Sequence, residues 1–513
     1  MICAVCGERE AAVFLRRSSA GADAELELCE ICAQSRGIGA GRGWLELRFD
    51  TLLGEAIVSQ QTSSCCPLCG SLAENISKGQ IGCSRCVDIF RNDIRRRRRS
   101  LSDKSGIGIA GIARTNKQLE IIEGLGEQNA FLDPFTSLDH LKKKNFLQSD
   151  TTFDVVLETR VMIARNFRDL PFPGSPRFSS EKAKTSVALV LSRLKHSENQ
   201  TIEELSPDLR RSLVERGIIS SSFASTSEAS SCHCVSTKSE AWLITGNEND
   251  HLSAKAAFPG FAIKKASAFA DFSSLRLEEA MSEIAGGVAL DEEFGLLSAR
   301  PELIGSCMTM SMHFHLPALA RSGLLERCIR PLIASGWDLK GTYGANGGST
   351  GDLFVLSAEC PGTELPSHLA KKLEIAASRL AASEREARAE YGNSRWESLV
   401  DEAGRALGMF SQARFISEYE AADWLSSLRF AALCGLIDGL NAFNIGMLLD
   451  STGLATLELL AKHLGSFPRE QAILDAKHGH RLTDRLRCIL LKKCSEGAHL
   501  SKRADDSDRW IVR

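Results

Sequence analysis

The sequence predicts an α+β protein of several domains, and three observations carry that prediction. The chain has 513 residues, which is enough for about two to four domains. Nine of its 17 cysteines precede residue 100 and form CxxC pairs, which indicates small metal-stabilised modules. In the middle of the chain, the apolar run from Trp242 to Ile244 is typical of a buried strand, whereas residues 369–391 are rich in Ala, Glu, Lys and Arg and follow a helical period.

Composition and charge exclude several classes of protein. The net charge is −3, with 43% hydrophobic and 25% charged residues, so no global field favours nucleic acid or a membrane surface. No apolar run approaches the roughly 20 residues that a membrane span needs. Charges follow closely after Cys3, so we expect no signal peptide. The CxxC usage favours metal binding in a reducing, cytoplasmic compartment over disulfides.

Residues 1–100 are predicted to bind two structural zinc ions. The candidate ligands form two sets of four cysteines: Cys3, Cys6, Cys29 and Cys32, and then Cys66, Cys69, Cys83 and Cys86. Four thiolates at these spacings suit tetrahedral Zn²⁺, and redox chemistry of the CxxC pairs is the alternative. The intervening sequence is too small and polar to form a core alone, so the metal would supply the folding free energy. We therefore expect the second ribbon to unfold by itself when Cys66 is replaced, with residues 150–513 unaffected.

A basic run from Arg95 to Arg99 ends a helix predicted to begin at Val87. One interpretation is a patch for nucleic acid or an acidic partner. The other is a solvated helix end that the helix dipole favours. Residues 101–130 are predicted to be a linker, with one short helix near residues 118–125.

The motif Asn247-Glu248-Asn249-Asp250-His251-Leu252 follows the apolar run. It resembles the N-E-E-D-H-L-R loop of the ATP:guanido phosphotransferases, which include arginine kinase, creatine kinase and the bacterial protein-arginine kinase McsB. Asn249 stands where the family has a catalytic Glu, and Ser253 where it has Arg. The stretch DVVLETRVMIARN is similar to the family block V-V-x-S-S-R-x-R-x-A-R-N, whose two arginines grip nucleotide phosphates. Arg160 keeps the first of these arginines, and Met162 replaces the second.

Three further motifs resemble the family and depart from it at functional positions. EFGLLSARP carries Arg300 where the family has a Cys that holds the guanidinium. GSCMTMSMHFHLPAL carries Thr309 in place of an Arg. KGTYGAN carries Lys340 in place of a phosphate-binding Arg, and Ala345 in place of the Glu that partners the first catalytic carboxylate. The resemblance thus implies a degenerate catalytic site.

The resemblance also leaves candidate remnants of a nucleotide site. These remnants are Arg160, Lys340, His251 and His313. Family members place histidines near the base, so His251 and His313 are candidates for stacking on adenine. A buried histidine with a structural role is the alternative for each.

The resemblance divides the chain into parts. Residues 1–100, including CPLCG and GCSRC, resemble McsA, a zinc-binding activator of protein-arginine kinase. Residues 131–360 resemble the guanido phosphotransferase catalytic domain, which implies an antiparallel sheet flanked by helices and a small helical lobe near residues 131–240. Residues 361–513 resemble the helical C-terminal domain of the bacterial protein-arginine kinase.

The resemblance implies a fused McsA-McsB-like protein of the bacterial heat-shock and Clp proteolysis system. Our first hypothesis is an inactive kinase that serves as a scaffold or regulator. The second is an active kinase that uses Glu248, Asp250 or Asp352 as substitute carboxylates, and the third is a nucleic-acid or repressor-binding module. The expected partners are an arginine kinase, a Clp chaperone-protease or a heat-shock repressor. ATP and Mg²⁺ are expected only if nucleotide binding is retained, and a homodimer is left open.

Overall fold

The computed structural model describes residues 13–19, 22–28, 65–105, 153–194, 197–225, 231–236, 241–335, 337–341, 349–361, 366–464 and 479–502. The first set of predicted zinc ligands, the predicted helix near residues 118–125, and Ala345 lie outside these residues. The chain divides into two compact units, Met1–Cys65 and Cys66–Arg513. In the first unit, strands β1 (Val13–Ser19) and β2 (Ala22–Leu28) pair antiparallel.

A ten-stranded antiparallel sheet is the centre of the second unit as far as the structure describes it. Its strands are β3 (Val156–Arg165), β4 (Ser197–Thr201), β5 (Ser231–Ser236), β6 (Ala241–Gly246), β7 (Leu252–Pro259), β8 (Leu290–Asp291), β9 (Gly295–Leu296), β10 (Gly305–His315), β11 (Asp338–Gly341) and β12 (Leu353–Pro361). The order is β11-β12-β10-β3-β7-β6-β5-β4, and the short strands β8 and β9 join at β10. This sheet confirms the predicted architecture, and β6 contains the predicted apolar strand.

Helices flank the sheet and form the C-terminal part of the chain. They are α1 (Ala73–Ser77), α2 (Arg85–Ile89), α3 (Arg91–Ser105), α4 (Ser180–Arg193), α5 (Pro207–Glu215), α6 (Ser221–Ala224), α7 (Ile263–Met281), α8 (Pro317–Arg321), α9 (Leu325–Ala334), α10 (Pro366–Ser394), α11 (Trp396–Gln412), α12 (Glu418–Leu433), α13 (Ala442–Ser451), α14 (Leu454–Leu464) and α15 (Gly479–Cys494). Helix α7 packs on β3 and β7, and α10 packs on β10 and β12. The helical C-terminal region is therefore as predicted.

The two faces of the sheet differ in burial, and β10 shows the difference most clearly. Met308, Met310, Met312 and Phe314 are fully buried, whereas the intervening Thr309, Ser311 and His313 are half-buried. Alternate residues of a strand point to opposite faces. One face is thus covered by helices, and the other, called the open face, carries polar side chains of β3, β7 and β10.

The small helical lobe expected near residues 131–240, overlapping the first motif strand, is not separate from the sheet in the residues that the structure describes there. Strands β3, β4 and β5 in this stretch join the main sheet, next to helices α4, α5 and α6. Strand β4 reads SENQT and has no apolar alternation. Its extended conformation arises from pairing with β5, so no local sequence pattern predicts this strand.

Helices α11–α15 and a two-stranded pair, β13 (Ile437–Asp438) with β14 (His499–Leu500), make up the C-terminal region. Helix α12 begins with a capping box, in which Ser417 and Glu420 satisfy each other's backbone N–H groups. Within the described part of the chain, no helix combines the length and the apolar character that crossing a bilayer requires.

A buried arginine joins the C-terminal region to the start of β3. Arg429 lies on α12 and is fully buried. Its guanidinium donates to the carbonyl oxygens of Phe153 (2.5 Å), Asp154 (3.2 Å) and Ala442 (3.1 Å). It also donates to Nδ1 of His315 at 2.6 Å. One side chain of the C-terminal region thus satisfies acceptors from both parts of the unit.

Candidate active site and metal centre

The second set of predicted zinc ligands forms one buried cluster. The sulfur atoms of Cys66, Cys69, Cys83 and Cys86 lie within 4.8 Å of one another, with Cys66–Cys83 at 3.5 Å and Cys69–Cys86 at 3.3 Å. Tetrahedral Zn²⁺ with Zn–S bonds of about 2.3 Å places its sulfurs about 3.8 Å apart. The four residues therefore fit a zinc ion. Cys65 is exposed and lies outside the cluster.

The ribbon, residues 66–86, is packed onto the body that carries the sheet. Its cysteines share one hydrophobic core with Phe172, Phe294, Leu297 and Ile304. The independent module expected from the sequence is therefore wrong for the second ribbon. The ligand spacing shows where the metal binds, but it does not show which distant apolar residues complete the core.

The basic run contacts the same body. Arg95 forms an ion pair with Glu293 (2.7 Å), and Arg97 forms one with Glu302 (3.3 Å). The guanidinium of Arg98 lies 5.3 Å from the ring centroid of Phe294. Arg91, one turn earlier, binds Asp291 at 2.9 Å and Glu293 at 2.7 Å. These contacts favour a third interpretation, in which the run docks the ribbon inside the chain, over a nucleic-acid patch or a solvated helix end.

The loop of residues 247–251, called the acidic loop, connects β6 to β7. Asn247 has a φ of 57°, a left-handed conformation that Asn tolerates better than most residues. Its N–H donates to the carbonyl oxygen of His251 at 2.9 Å and closes the turn. The His251 N–H in turn donates to Oδ1 of Asn166 at 2.8 Å. The loop is thus fixed by its own backbone and by the end of β3.

Asp250 is fully buried beneath this loop. Its carboxylate accepts hydrogen bonds from Asn166 Nδ2 (2.5 Å), Ser298 Oγ (2.9 Å) and the Ala299 N–H (2.8 Å). Each of these donors belongs to the structural frame of the loop. Asp250 therefore anchors the acidic loop to the segment that precedes β10.

Glu248 is also engaged, through an ion pair. It accepts from Lys255 Nζ at 2.5 Å, from Thr245 Oγ1 at 2.9 Å and from the Ser220 N–H at 3.0 Å. Burial alone would raise the pKa of Glu248, but Lys255 and these hydrogen bonds lower it. Lys255 Nζ also donates to the Ile218 carbonyl oxygen at 3.0 Å. The pair holds the turn at residues 218–220 against β7.

The residue between these two carboxylates is an amide. Asn249 is exposed at the tip of the acidic loop, and Ser253 is buried in β7. Arg300 is half-buried, and its Nε lacks a hydrogen-bond partner among the described residues. It directly follows Ala299, whose N–H binds Asp250. The backbone of Arg300 is therefore next to the residue that anchors the acidic loop.

The open face carries the positions predicted for phosphate contacts. Arg160 Nε pairs with Glu158 at 2.8 Å, and its Nη1 donates to the Arg216 carbonyl oxygen at 3.0 Å. Met162 on β3 lies directly opposite Thr309 on β10. Opposed residues of antiparallel strands have Cβ atoms about 4.5–5.5 Å apart. These two residues, which the sequence analysis predicts to stand in place of arginines, are thus neighbours and carry no charge.

Sequence reasoning missed Lys255, which lies opposite Met162 on the other side, on β7. A signal was present, because a lone Lys between Ala254 and Ala256 in an apolar strand requires a partner when buried. It also missed that Glu158, two residues before Arg160, points to the same face and neutralises it.

The remaining predicted positions lie further along the sheet. Lys340 on β11 pairs with Asp338, and 76% of its side chain is exposed. His313 is half-buried in β10. Asp352 accepts from Arg321 at 2.9 Å and has a φ of 55°. Strand β12 separates Lys340 from β10, so the structure does not bring this lysine to Met162 and Thr309.

His251 lies in an aromatic pocket and has a structural role. It is fully buried, and its ring centroid lies 5.1 Å from Phe167, 5.9 Å from Phe172 and 6.3 Å from Phe178. Its Nδ1 accepts from the Phe167 N–H at 3.3 Å. Phenylalanines occupy the space that a stacked adenine would need. This geometry favours the structural interpretation of His251.

The burial of His251 predicts a loss of stability in mild acid. Burial lowers its pKa from 6.5 to about 3. The unfolded chain therefore binds a proton below pH 6.5 that the folded chain resists. The contribution of neutral His251 to the free energy of unfolding is fully present above pH 6.5. It is lost as the pH falls from 6.5 toward 3, by up to about 1.4 kcal/mol per pH unit. We expect the contribution of His251, measured with urea as the difference in the free energy of unfolding between the unmodified protein and a variant without the ring, to fall between pH 7 and pH 5.

The control for this prediction is His251→Asn, which keeps an acceptor for the Phe167 N–H and has no titrating ring. The variant is expected to be less stable at pH 7 but to lose less stability per pH unit than the unmodified protein. Burial also raises the pKa of Glu384 to about 7, and this group acts in the opposite direction in both proteins. Equal slopes for the two proteins would contradict the assignment.

Comparison with known proteins decides the family. The model of the ATP:guanido phosphotransferase C-terminal catalytic domain matches residues 180–385, and that of the protein-arginine kinase McsB C-terminal domain matches residues 396–473. The protein-arginine kinase of Geobacillus stearothermophilus is 30% identical over 362 residues, which cover 67% of this chain and 94% of the relative. The chain belongs to the protein-arginine kinase family.

Other members of the family agree with this assignment. The protein-arginine kinase of Moorella thermoacetica is 31% identical over 296 residues, covering 56% of this chain and 82% of its own length. The protein-arginine kinase of Bacillus subtilis is 29% identical over 311 residues, which cover 58% of this chain and 83% of the relative. Among solved structures, lombricine kinase gives a TM-score of 0.46 at 15% identity, covering 61% of this chain and 81% of that one.

The gap between the two family-model matches lies near the end of the long helix α10. The first ends at residue 385 and the second begins at residue 396, and α10 is Pro366–Ser394. Our boundary at residue 361 stays a prediction, as do the boundaries at 100 and 130. The predicted boundary at residue 100 falls inside α3, which continues to Ser105.

Proposed function

We propose that this member of the protein-arginine kinase family is catalytically inactive and serves as a zinc-bearing scaffold or regulator. The observation that carries the proposal is the state of the acidic loop. Asn249 is exposed at its tip, whereas the side chain of Glu248 is only 6% exposed, Asp250 is fully buried, and both are bonded to structural groups. An amide can accept a hydrogen bond from a guanidinium, but it cannot remove its proton.

The substitute carboxylates of the second hypothesis are each committed to other partners. Glu248 neutralises Lys255, and Asp250 receives three hydrogen bonds from the loop frame. Asp352 binds Arg321. Using any of them as a base would require breaking contacts that hold the fold, which argues against an active kinase with substitutes.

Three cations of the sheet, among the residues that the structure describes, also have carboxylate partners. Arg160 pairs with Glu158, Lys255 with Glu248 and Lys340 with Asp338. Catalysis of phosphoryl transfer depends almost entirely on positioning and on neutralising the charge of the transferred group. A face whose cations already have carboxylate partners offers little to a triphosphate.

We expect a calorimetric titration with ATP and Mg²⁺ to show no saturable binding with a dissociation constant below about 1 mM. That limit corresponds to a binding free energy of about −4 kcal/mol. The variant Glu158→Gln removes the partner of Arg160 and is expected to gain weak binding. The double variant Glu158→Gln with Arg160→Ala is the matched control and should lose that gain. Saturable micromolar binding by the unmodified protein, weakened by Arg160→Ala, would contradict a degenerate nucleotide site.

The resemblance supports the rest of the proposal. We assign structural Zn²⁺ to Cys66, Cys69, Cys83 and Cys86, and a second zinc ion to Cys3, Cys6, Cys29 and Cys32. The proposed context is the bacterial heat-shock and Clp proteolysis system in the cytoplasm, with stress-system proteins as partners. A reducing compartment suits four buried cysteine thiols at metal-binding distance.

A further inference from the structure

The cysteine cluster and the acidic loop are connected by a short hydrogen-bonded route. The Ile81 N–H donates to the Ala299 carbonyl oxygen at 2.8 Å. The Ala299 N–H donates to Oδ1 of Asp250 at 2.8 Å. Ile81 lies two residues before the ligand Cys83. One residue of the body, Ala299, therefore separates the second cysteine pair from the buried carboxylate of the loop.

A second route passes through residues 172–178. The Phe172 N–H donates to the carbonyl oxygen of Gly82 at 2.7 Å, beside the second cysteine pair. The Arg177 N–H donates to the carbonyl oxygen of Cys69 at 3.0 Å, in the first pair. Arg177 Nη1 also donates to the Pro67 carbonyl oxygen at 2.6 Å. The second cysteine pair thus holds the start of this segment, and the first pair holds its end.

Residues 172–178 in turn enclose the histidine of the acidic loop. The rings of Phe172 and Phe178 lie 5.9 and 6.3 Å from the ring of His251. The two routes therefore reach adjacent residues of the loop from opposite sides, one at Asp250 and the other at His251. Both routes start from the ribbon, at positions next to metal ligands.

The two cysteine pairs approach each other closely. A Cβ added at Gly82 would come within 2.6 Å of the Cys69 sulfur, which is closer than side-chain contacts allow. The sulfurs of opposite pairs are 3.3 and 3.5 Å apart. A bound metal ion would hold this spacing, whereas four buried thiols without a metal have no bond between them to maintain it.

We propose that zinc at Cys66, Cys69, Cys83 and Cys86 closes a clamp on the acidic loop. The metal fixes the two cysteine pairs relative to each other, and these pairs fix Ala299 and residues 172–178. Those residues then hold Asp250 and His251. The clamp rests on zinc binding at this cluster, and it acts on the loop whether or not the loop has catalytic activity.

Hydrogen exchange of the full-length protein, followed by mass spectrometry, tests the clamp. Zinc removal by a chelator is expected to speed amide exchange by at least about tenfold in peptides covering residues 166–178, 247–253 and 297–304. Exchange in α12 should not change. Zinc added back should restore protection. The variant Cys69→Ser should show the same pattern without a chelator, with zinc content lower by one ion per chain.

The matched control is Cys6→Ser, which removes one ligand of the other predicted site. It should also lower the zinc content by one ion per chain, but it should leave exchange of the acidic loop unchanged. Unchanged exchange of the loop after Cys69→Ser has lost its zinc would overturn the clamp while leaving the proposed inactivity intact. An equal increase in α12 would also overturn it, because the effect would then be general unfolding. A protein that binds no zinc at this cluster overturns it as well.

Discussion

Incubated with ATP, Mg²⁺ and an arginine-rich protein, this chain is expected to form no detectable phosphoarginine. Losing a general base typically costs about 10²–10⁴ in rate, and losing one preorganised charge donor costs about 10²–10³. Under the proposed inactivity, Asn249 and the neighbouring Met162 and Thr309 represent one loss of each kind. Such losses are not freely multiplicative, so the smaller values predict a rate reduced by about 10² if the two act as a unit and by about 10⁴ if they act independently.

Restoring one carboxylate is not expected to restore this activity. In Asn249→Glu, a carboxylate would return at one position only, while Met162 and Thr309 would still place no charge on the open face. The product is read by acid-labile phosphate and by mass spectrometry. The protein-arginine kinase of Geobacillus stearothermophilus provides the positive control. ATP-dependent phosphoarginine from the unmodified chain that disappears in Arg160→Ala would refute the inactive assignment.

The variant Arg429→Met is expected to destabilise the protein by at least about 3 kcal/mol, because it leaves buried acceptors without donors. Those acceptors are the carbonyl oxygens of Phe153, Asp154 and Ala442, together with His315 Nδ1. Since they belong to both the start of β3 and the C-terminal region, the C-terminal helices should lose their attachment to the sheet. Denaturant unfolding followed by circular dichroism measures the loss.

The control for Arg429 is Arg405→Met, made on the neighbouring helix α11. Arg405 pairs with Asp401 at the surface, and 68% of its side chain is exposed. Surface pairs contribute about 0–1 kcal/mol, so this variant should unfold almost like the unmodified protein. If the two variants were equally stable, the buried arginine would not join the two parts of the chain as described.

The motifs of the sequence predicted the sheet and the acidic loop because their residues act locally. The apolar strand before Asn247 and the alternation in β10 both reflect burial of one face, which a strand expresses in its own residues. The cysteine spacing likewise predicted the cluster at Cys66–Cys86, since a tetrahedral site requires two close pairs. The polar edge strand β4 carried no such local signal.

What the sequence did not predict were the partners of charged residues. Glu293 and Glu302 bind arginines of α3 roughly two hundred residues away, and such pairing is decided by the tertiary fold. Lys255 and Glu248 are seven residues apart on either side of a turn, so their ion pair depends on the register of β7. For the same reason, the core that the ribbon shares with Phe172 and Phe294 was not visible from ligand spacing.

The ribbon and the body it docks on belong to a single chain, and this has a consequence for how their association responds to concentration. Two separate proteins joined by the same contacts would dissociate on dilution below their dissociation constant. A ribbon in the same chain instead experiences an effective concentration that dilution of the protein does not change. The ratio of ribbon to body is therefore fixed at one to one. Neither dilution nor unequal synthesis can separate them, and proteolytic cleavage between residues 105 and 153 would be the direct way to make the association reversible.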